Sequence, residues 1–154
     1  MTQAAADAAT SMTIRGDIGG LDAILGFHIR LAHSVVYRHF TETFSMLDLT
    51  QKQVSVLWLI QANAGIGQAE IGRRLQIDRA TVMAIVNRLQ GRGFVERTKS
   101  TGDGRRQTLH LTAGGQEALA SARACIVTHE DWLKSRFTRD EVASLIQLLQ
   151  RIHQ

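Results

Sequence analysis

The chain has 154 residues and carries 18 Lys and Arg against 14 Asp and Glu, a net charge of +4. Its 44% hydrophobic and 21% charged residues are those of one folded domain with a real core, not of a disordered chain. No run approaches the ~18 uninterrupted apolar residues of a membrane span, the first residues lack the basic-then-apolar pattern of a secretory signal, and a lone cysteine makes no internal disulfide, so a cytoplasmic protein is expected.

Residues 1–17 are rich in Ala, Thr and Ser with little to bury, and read as a flexible N-terminal arm. Asp17 and Asp22 are candidate caps for the helix that follows, from Leu21 to about Phe44. In it Leu21, Ile24, His28, Leu31 and Val35 form one stripe, and Leu25, Ile29, Val36 and Phe40 a second. Two apolar stripes predict burial on two sides, against the chain's own core and against a second subunit or domain. Thr50–Gln53 is a capping-box pattern opening a helix through Val54, Leu57, Trp58 and Gln61 to about Asn63. Ala64–Gly67 is a short break, a candidate edge strand.

Gln68–Leu75 reads as a helix whose Ala69, Ile71, Gly72 and Leu75 support the next one. Asp78 then stands before an apolar run of helical period and is the expected N-cap. Val82, Ile85, Val86 and Leu89 make the inward face. The outward face, Ala80, Met83, Ala84 and Asn87, is small or polar and flanked by Arg79 and Arg88. A helix that merely faces water usually carries Glu and Lys; this surface suits one that lies in a groove. Gly91 and Gly93 end it, one of them left-handed. Phe94, Val95 and Arg97 start a strand, Leu109 and Leu111 mark its return, and residues 100–104 have hairpin-tip chemistry, with Arg105 and Arg106 just beyond. This is the pattern of a winged helix-turn-helix. Between Glu70 and Arg106 there are nine Arg and Lys against four Asp and Glu, a net of +5, so the rest of the chain is −1. Positive charge is concentrated where phosphate contact needs it. A merely solvated basic face would leave the coincidence of pattern, turn chemistry and charge unexplained.

Thr112 caps a long helix from about Ala113 to Lys134, with Gly114 and Gly115 weakening its first turn and Leu119, Ala122, Ile126, His129 and Leu133 as its main stripe. Thr138–Glu141 is a second capping box, before a last helix carrying Val142, Leu145, Ile146, Leu149 and Ile152. A terminal amphipathic helix needs cover, and with the two-striped first helix it predicts a homodimer.

The order of these elements resembles the MarR family of bacterial transcription regulators. The residues that carry the likeness are Leu49-Thr50-Gln51, Gln68 to Leu75, Arg79-Ala80-Thr81-Val82, Val86-Asn87-Arg88-Leu89, Arg92 to Arg97, Asp103-Gly104-Arg105-Arg106 and Leu109 to Gly115. The resemblance runs from about residue 21 to the end of the chain. It implies a mainly α fold with a β-hairpin wing, dimerising through N- and C-terminal helices: 18–48 and 113–154 for dimerisation, 49–112 for DNA. It implies a homodimer on a palindromic operator in double-stranded DNA, usually as a repressor released by a small effector, and not an enzyme; no cofactor or membrane partner is implied. Arg105 would be the wing arginine in the minor groove, with Asp103 shaping the wing and Arg106 beside it. Arg79, Thr81, Met83, Asn87 and Arg88 are the candidate contacts of the recognition helix, and Arg73 and Arg74 candidate backbone contacts. Met83 and Ala84 depart from the Thr and Arg often found in the family, so an operator sequence does not transfer.

Family members bind effectors between the dimer helices and the DNA-binding lobe. There His28, Arg30, Tyr37, Arg38, Trp58 and His129, with His33 and His39 nearby, would suit an anionic aromatic effector such as a phenolic acid or its coenzyme A thioester. The plain alternative makes Trp58 core and the histidines surface or interface residues. A metal sensor finds little support, since His28, His33 and His39 do not share a helix face and no cysteine joins them. A redox sensor would rest on Cys125, mid-helix, where a buried thiol reacts slowly. A DNA-binding protein without an effector is the remaining alternative.

Overall fold

The computed structural model describes residues 18–99 and 107–154. The expected N-terminal arm and the hairpin tip, with Asp103, Arg105 and Arg106, lie outside the described residues. The helices are α1 (Leu25–Thr43), α2 (Gln51–Ala62), α3 (Gln68–Leu75), α4 (Arg79–Gly91), α5 (Ala113–Lys134) and α6 (Arg139–His153). Strands β1 (Val95–Lys99) and β2 (Gln107–Leu111) pair antiparallel between α4 and α5. The mainly helical fold with a small hairpin is therefore the one expected.

The described chain forms two compact units that divide after Arg38. In the first, the long helix starts later than its hydrophobic pattern suggests. Leu21–Ala23 is a 3-10 turn, and Ile24 is extended before α1 begins. Asp22 lies inside that turn, and its carbonyl oxygen accepts a hydrogen bond from His28 Nε2 at 2.7 Å. The apolar positions of this stretch, Leu21, Ile24, Leu25, Ile29 and Val35, are exposed in the single chain.

In the second unit the core gathers Phe44, Leu57, Ile60, Ile71, Val82, Val86, Leu89, Val95, Leu109 and Leu119. The Thr50 hydroxyl accepts from the Gln53 N–H, and Gln53 Oε1 accepts from the Thr50 N–H, closing the capping box that starts α2. That reciprocal pair is why a glutamine can be buried here. Ile66 bridges Leu109 antiparallel, so the break after α2 lays a short third edge on the hairpin.

Between α3 and α4 the chain turns tightly. Gln76 takes a left-handed conformation at φ 52°, and a Cβ on Gly72 would lie 2.9 Å from the Ile77 carbonyl oxygen. Asp78 caps α4: its Oδ1 accepts from the Thr81 N–H at 2.9 Å and its Oδ2 from the Thr81 hydroxyl at 2.6 Å. The Thr81 hydroxyl, then its N–H, hold the Asp78 carboxyl below the usual carboxylate range. Asp78→Ala removes this cap and should lower stability, read as a reduced urea midpoint at unchanged slope. Gly93, at φ 73°, ends the α4 segment as the left-handed residue.

The hairpin register runs from Val95 opposite Leu111 to Lys99 opposite Gln107. The Thr112 hydroxyl accepts from the Gly115 N–H and donates to the Gly93 carbonyl, tying the start of α5 to the end of α4. Helix α6 opens on the second capping box, Thr138 with Glu141. The backbone N–H of Thr138, then its hydroxyl, lower the Glu141 pKa. Helix α6 has no residue buried within its own chain.

Candidate nucleic-acid interface

Helix α3 braces α4, and β1 follows α4 through the left-handed Gly93, so three elements meet at one seam. The inward side of α4 is occupied as its pattern predicts: Val82, Val86 and Leu89 are buried and Ile85 is packed against the core. Its outward residues, Arg79, Ala80, Met83, Ala84, Asn87 and Arg88, are all exposed. Met83 is half exposed, an apolar side chain left uncovered on an otherwise polar ridge.

The arginines differ in what they spend their charge on. Glu70 takes both arginines of α3: Arg73 donates to it from Nε at 2.9 Å and Nη2 at 2.6 Å, and Arg74 from Nε at 2.5 Å. Those bonds, Arg73 first, push the Glu70 pKa down to about 2 and raise that of Arg73. Arg74 also donates to Asn63 Oδ1. Arg88 reaches the Asp48 carboxylate at 3.5 Å, a long and exposed contact of the kind that contributes ~0–1 kcal/mol. Arg79 forms no ion pair among the described residues. Thr81 is turned back to Asp78 by its hydroxyl.

Two arginines here are not among the contacts expected from the sequence. Arg92 donates to the carbonyls of Asp48 and Leu47 and stacks over Phe94, so it fastens α4 to the segment before α2. Arg97 donates from Nη2 to Asn87 Oδ1 at 2.5 Å and from Nη1 to Gln90 Oε1 at 2.6 Å. A signal for Arg97 was available: strand alternation puts it on the same face as buried Val95, turned to the helices.

The candidate effector residues fall into separate settings. In the first unit His28 bonds the Asp22 carbonyl, Arg30 lies 5.2 Å over the Phe27 ring, Tyr37 stacks on His33 and Arg38 is exposed. In the second unit Trp58 is 41% exposed and lies beneath Arg123, whose guanidinium carbon is 4.5 Å from the ring centre. It is thus neither core nor bare. With Val54, Ser55, Leu59, Leu75 and Ile126 it lines a cavity of about 260 Å³. Cys125 on α5 is half-buried against the core.

His129 is buried and does not line that cavity. Its Nδ1 lies 2.8 Å from His39 Nδ1, a hydrogen-bond distance between the two rings; Trp132 stacks on His39 at 3.7 Å, and Phe40 meets His129 edge-on. Burial first, then the charge of His39, lowers the His129 pKa, against a small opposing pull from Glu130. A histidine depressed in the fold takes its proton more readily when unfolded, so its stabilisation is complete above the ordinary value of 6.5 and is lost as pH falls below it. The urea midpoint should fall on acidification below about pH 6.5, and His129→Gln should flatten that fall.

A helix pair, a basic recognition face and an adjoining hairpin define a winged helix-turn-helix DNA-binding protein. The family model described as MarR family matches residues 47–106. The multiple antibiotic resistance protein MarR of Escherichia coli K12 is 31% identical over 130 residues, covering 83% of this chain and 90% of that protein. Among solved structures, the transcriptional repressor CouR bound to a 23-mer DNA duplex is 36% identical with a TM-score of 0.85, covering 90% of this chain and 98% of that one. CouR bound to p-coumaroyl-CoA is 34% identical with a TM-score of 0.82, covering 91% and 99%. The chain belongs to the MarR family and is a DNA-binding transcriptional regulator, not an enzyme. Among the described residues, no helix is long and apolar enough to cross a membrane.

Proposed function

We propose that the chain works in the cytoplasm as a homodimeric repressor of a palindromic operator, and that a small anionic effector releases it. Residues 49–112 form the DNA-binding part. Helix α4 enters the major groove with Arg79, Thr81, Met83, Asn87 and Arg88, and Arg73 and Arg74 approach the backbone. Arg105 and Arg106 of the wing, shaped by Asp103, reach the minor groove. Residues 18–48 and 113–154 dimerise, holding the two recognition helices about one DNA turn apart. The observation that carries this reading is the outward side of α4: exposed, free of carboxylates, and flanked by Arg79 and Arg88.

The effector reading rests on the cavity beside Trp58. At about 260 Å³ it lies just below the ~300–1,000 Å³ of small-molecule sites, room for the aryl end of a ligand only. Trp58 gives it an aromatic wall, and the Arg123 guanidinium stacks on that ring from outside the lining; this chemistry fits a planar aryl group next to an anionic or thioester end. CouR, seen with p-coumaroyl-CoA, makes aryl acids and their coenzyme A thioesters the first class to try. Such a ligand switches the protein only if it binds the DNA-competent and incompetent shapes unequally.

Fluorescence anisotropy on a labelled operator duplex tests the DNA half. Arg105→Ala should weaken binding strongly and lower the salt slope by about 1; unchanged binding removes the wing from the interface. For the effector half, p-coumaroyl-CoA should raise the melting midpoint of the wild type and displace the operator, and Trp58→Ala should abolish both effects.

A further inference from the structure

The guanidinium of Arg97 is surrounded by amide oxygens from two helices. Its Nη2 donates to Asn87 Oδ1 and its Nη1 to Gln90 Oε1, one helical turn apart on α4. With the Gln68 amide turned oxygen-inward, Nε and Nη2 also donate to it at 3.3 and 3.1 Å. Gln68 is the first residue of α3, Asn87 and Gln90 belong to α4, and Arg97 belongs to β1. One planar fork therefore fastens the supporting helix, the recognition helix and the wing strand together.

Two consequences follow from the chemistry. None of the three acceptors is charged, so among the described residues no carboxylate offsets the charge of Arg97, whereas Glu70 offsets that of Arg73 and Arg74. Asn87 also has its oxygen committed. The two-bond recognition of adenine needs that oxygen as acceptor together with the amide as donor. An asparagine held this way is poorly set to read a base.

We propose that Arg97 is the positioning residue that sets the recognition helix against the wing, and that Asn87 and Gln90 serve it as acceptors and do not read bases. This rests on the DNA-binding reading above and refines the part Asn87 plays in it. Lysine cannot replace Arg97, because one ammonium cannot reach acceptors spread over two helices in the plane of a fork.

The test uses the full chain and a pool of randomised DNA duplexes. Duplexes enriched by the wild type are compared with scrambled duplexes of the same composition, and melting midpoints are recorded alongside. Arg97→Lys should lower the midpoint only slightly, because these bonds are exposed, and lose about tenfold in preference for the enriched over the scrambled duplex. Asn87→Asp retains an acceptor for Arg97; its new negative charge should weaken binding to all duplexes alike, while the sequence it enriches stays that of the wild type. Asn87→Ala combined with Arg97→Lys should lose no more preference than Arg97→Lys alone. A changed base preference in Asn87→Asp would make Asn87 a reader and overturn the proposal. So would full selectivity in Arg97→Lys, or a midpoint that falls in step with its selectivity. A wild type that enriches no duplex at all would bring down the DNA-binding reading itself, which distinguishes the two failures.

Discussion

Gly115→Ala should cost the fold about 3 kcal/mol or more and take DNA binding with it. A Cβ at Gly115 would lie 1.9 Å from the Phe94 carbonyl oxygen and 2.8 Å from its carbonyl carbon. No rotamer change relieves such a clash, because both atoms are backbone. Phe94 sits between the end of α4 and the start of β1, and its carbonyl also accepts from the Thr112 N–H. Moving it would disturb the cap of α5, the bond from the Thr112 hydroxyl to Gly93, and the first pair of the hairpin, Val95 with Leu111. Gly114 is the internal control. Its Cβ would meet nothing closer than 3.6 Å, an ordinary contact, so Gly114→Ala should be close to neutral or slightly stabilising through helix propensity. Urea denaturation of the two variants side by side reads the difference, and equal midpoints would refute this account of the α5 seat.

Helix propensity alone made both glycines a defect in the first turn of α5. The sequence holds no direct sign that one of them is a contact surface, since that depends on where Phe94 arrives in space. The same division runs through the chain. Elements with a local physical cause were legible: Thr50, Asp78, Thr112 and Thr138 all cap where their side-chain chemistry placed them. So were α3 and α5, whose observed bounds, Gln68–Leu75 and Ala113–Lys134, are those expected. The start of α1 was less legible. Leu21 and Ile24 continue its period, yet Gly19 and Gly20, both at positive φ, precede a separate turn. Periodicity records which residues are apolar, not whether the backbone between them is continuous.

In the site, the basic face of α4 was legible from its pattern, while the partners of each arginine were not. Arg97 clasps Asn87 and Gln90 across ten and seven residues. Arg92 reaches Asp48 across forty-four and Arg123 reaches Gln61 across sixty-two. Contacts at such separations follow from the tertiary arrangement and leave no local periodic trace. His129 is the clearest case. It falls on the inward stripe of α5 as expected, but its setting is defined by His39, ninety positions away.

The second large effect belongs to the terminal helix. Leu145→Lys with Leu149→Lys should convert the protein to a monomer in sedimentation equilibrium while leaving its own fold intact. Leu145 and Leu149 are 40% and 42% exposed, and Ile146, Leu148 and Ile152 are more so. No residue of α6 is buried in its own chain, so charging this face removes little from the core that holds α2 to α5 together. A face this apolar is costly to leave in water, at roughly 25 cal/mol for each Å² uncovered, and its capping box shows that the helix is specified as a helix in its own right. Exposed Leu21, Ile24, Leu25, Ile29 and Val35 pose the same problem at the other end of the chain. Association of two copies through these faces would cover both at once, and a two-fold pair is what a palindromic site requires. Breaking it separates two half-site contacts that act together, so operator affinity should fall by about 10² to 10⁴, while the weak, salt-sensitive binding of each copy to random duplex survives. A variant that remains dimeric, or a monomer that holds the operator as tightly as the wild type, would show that these faces do not carry the pairing.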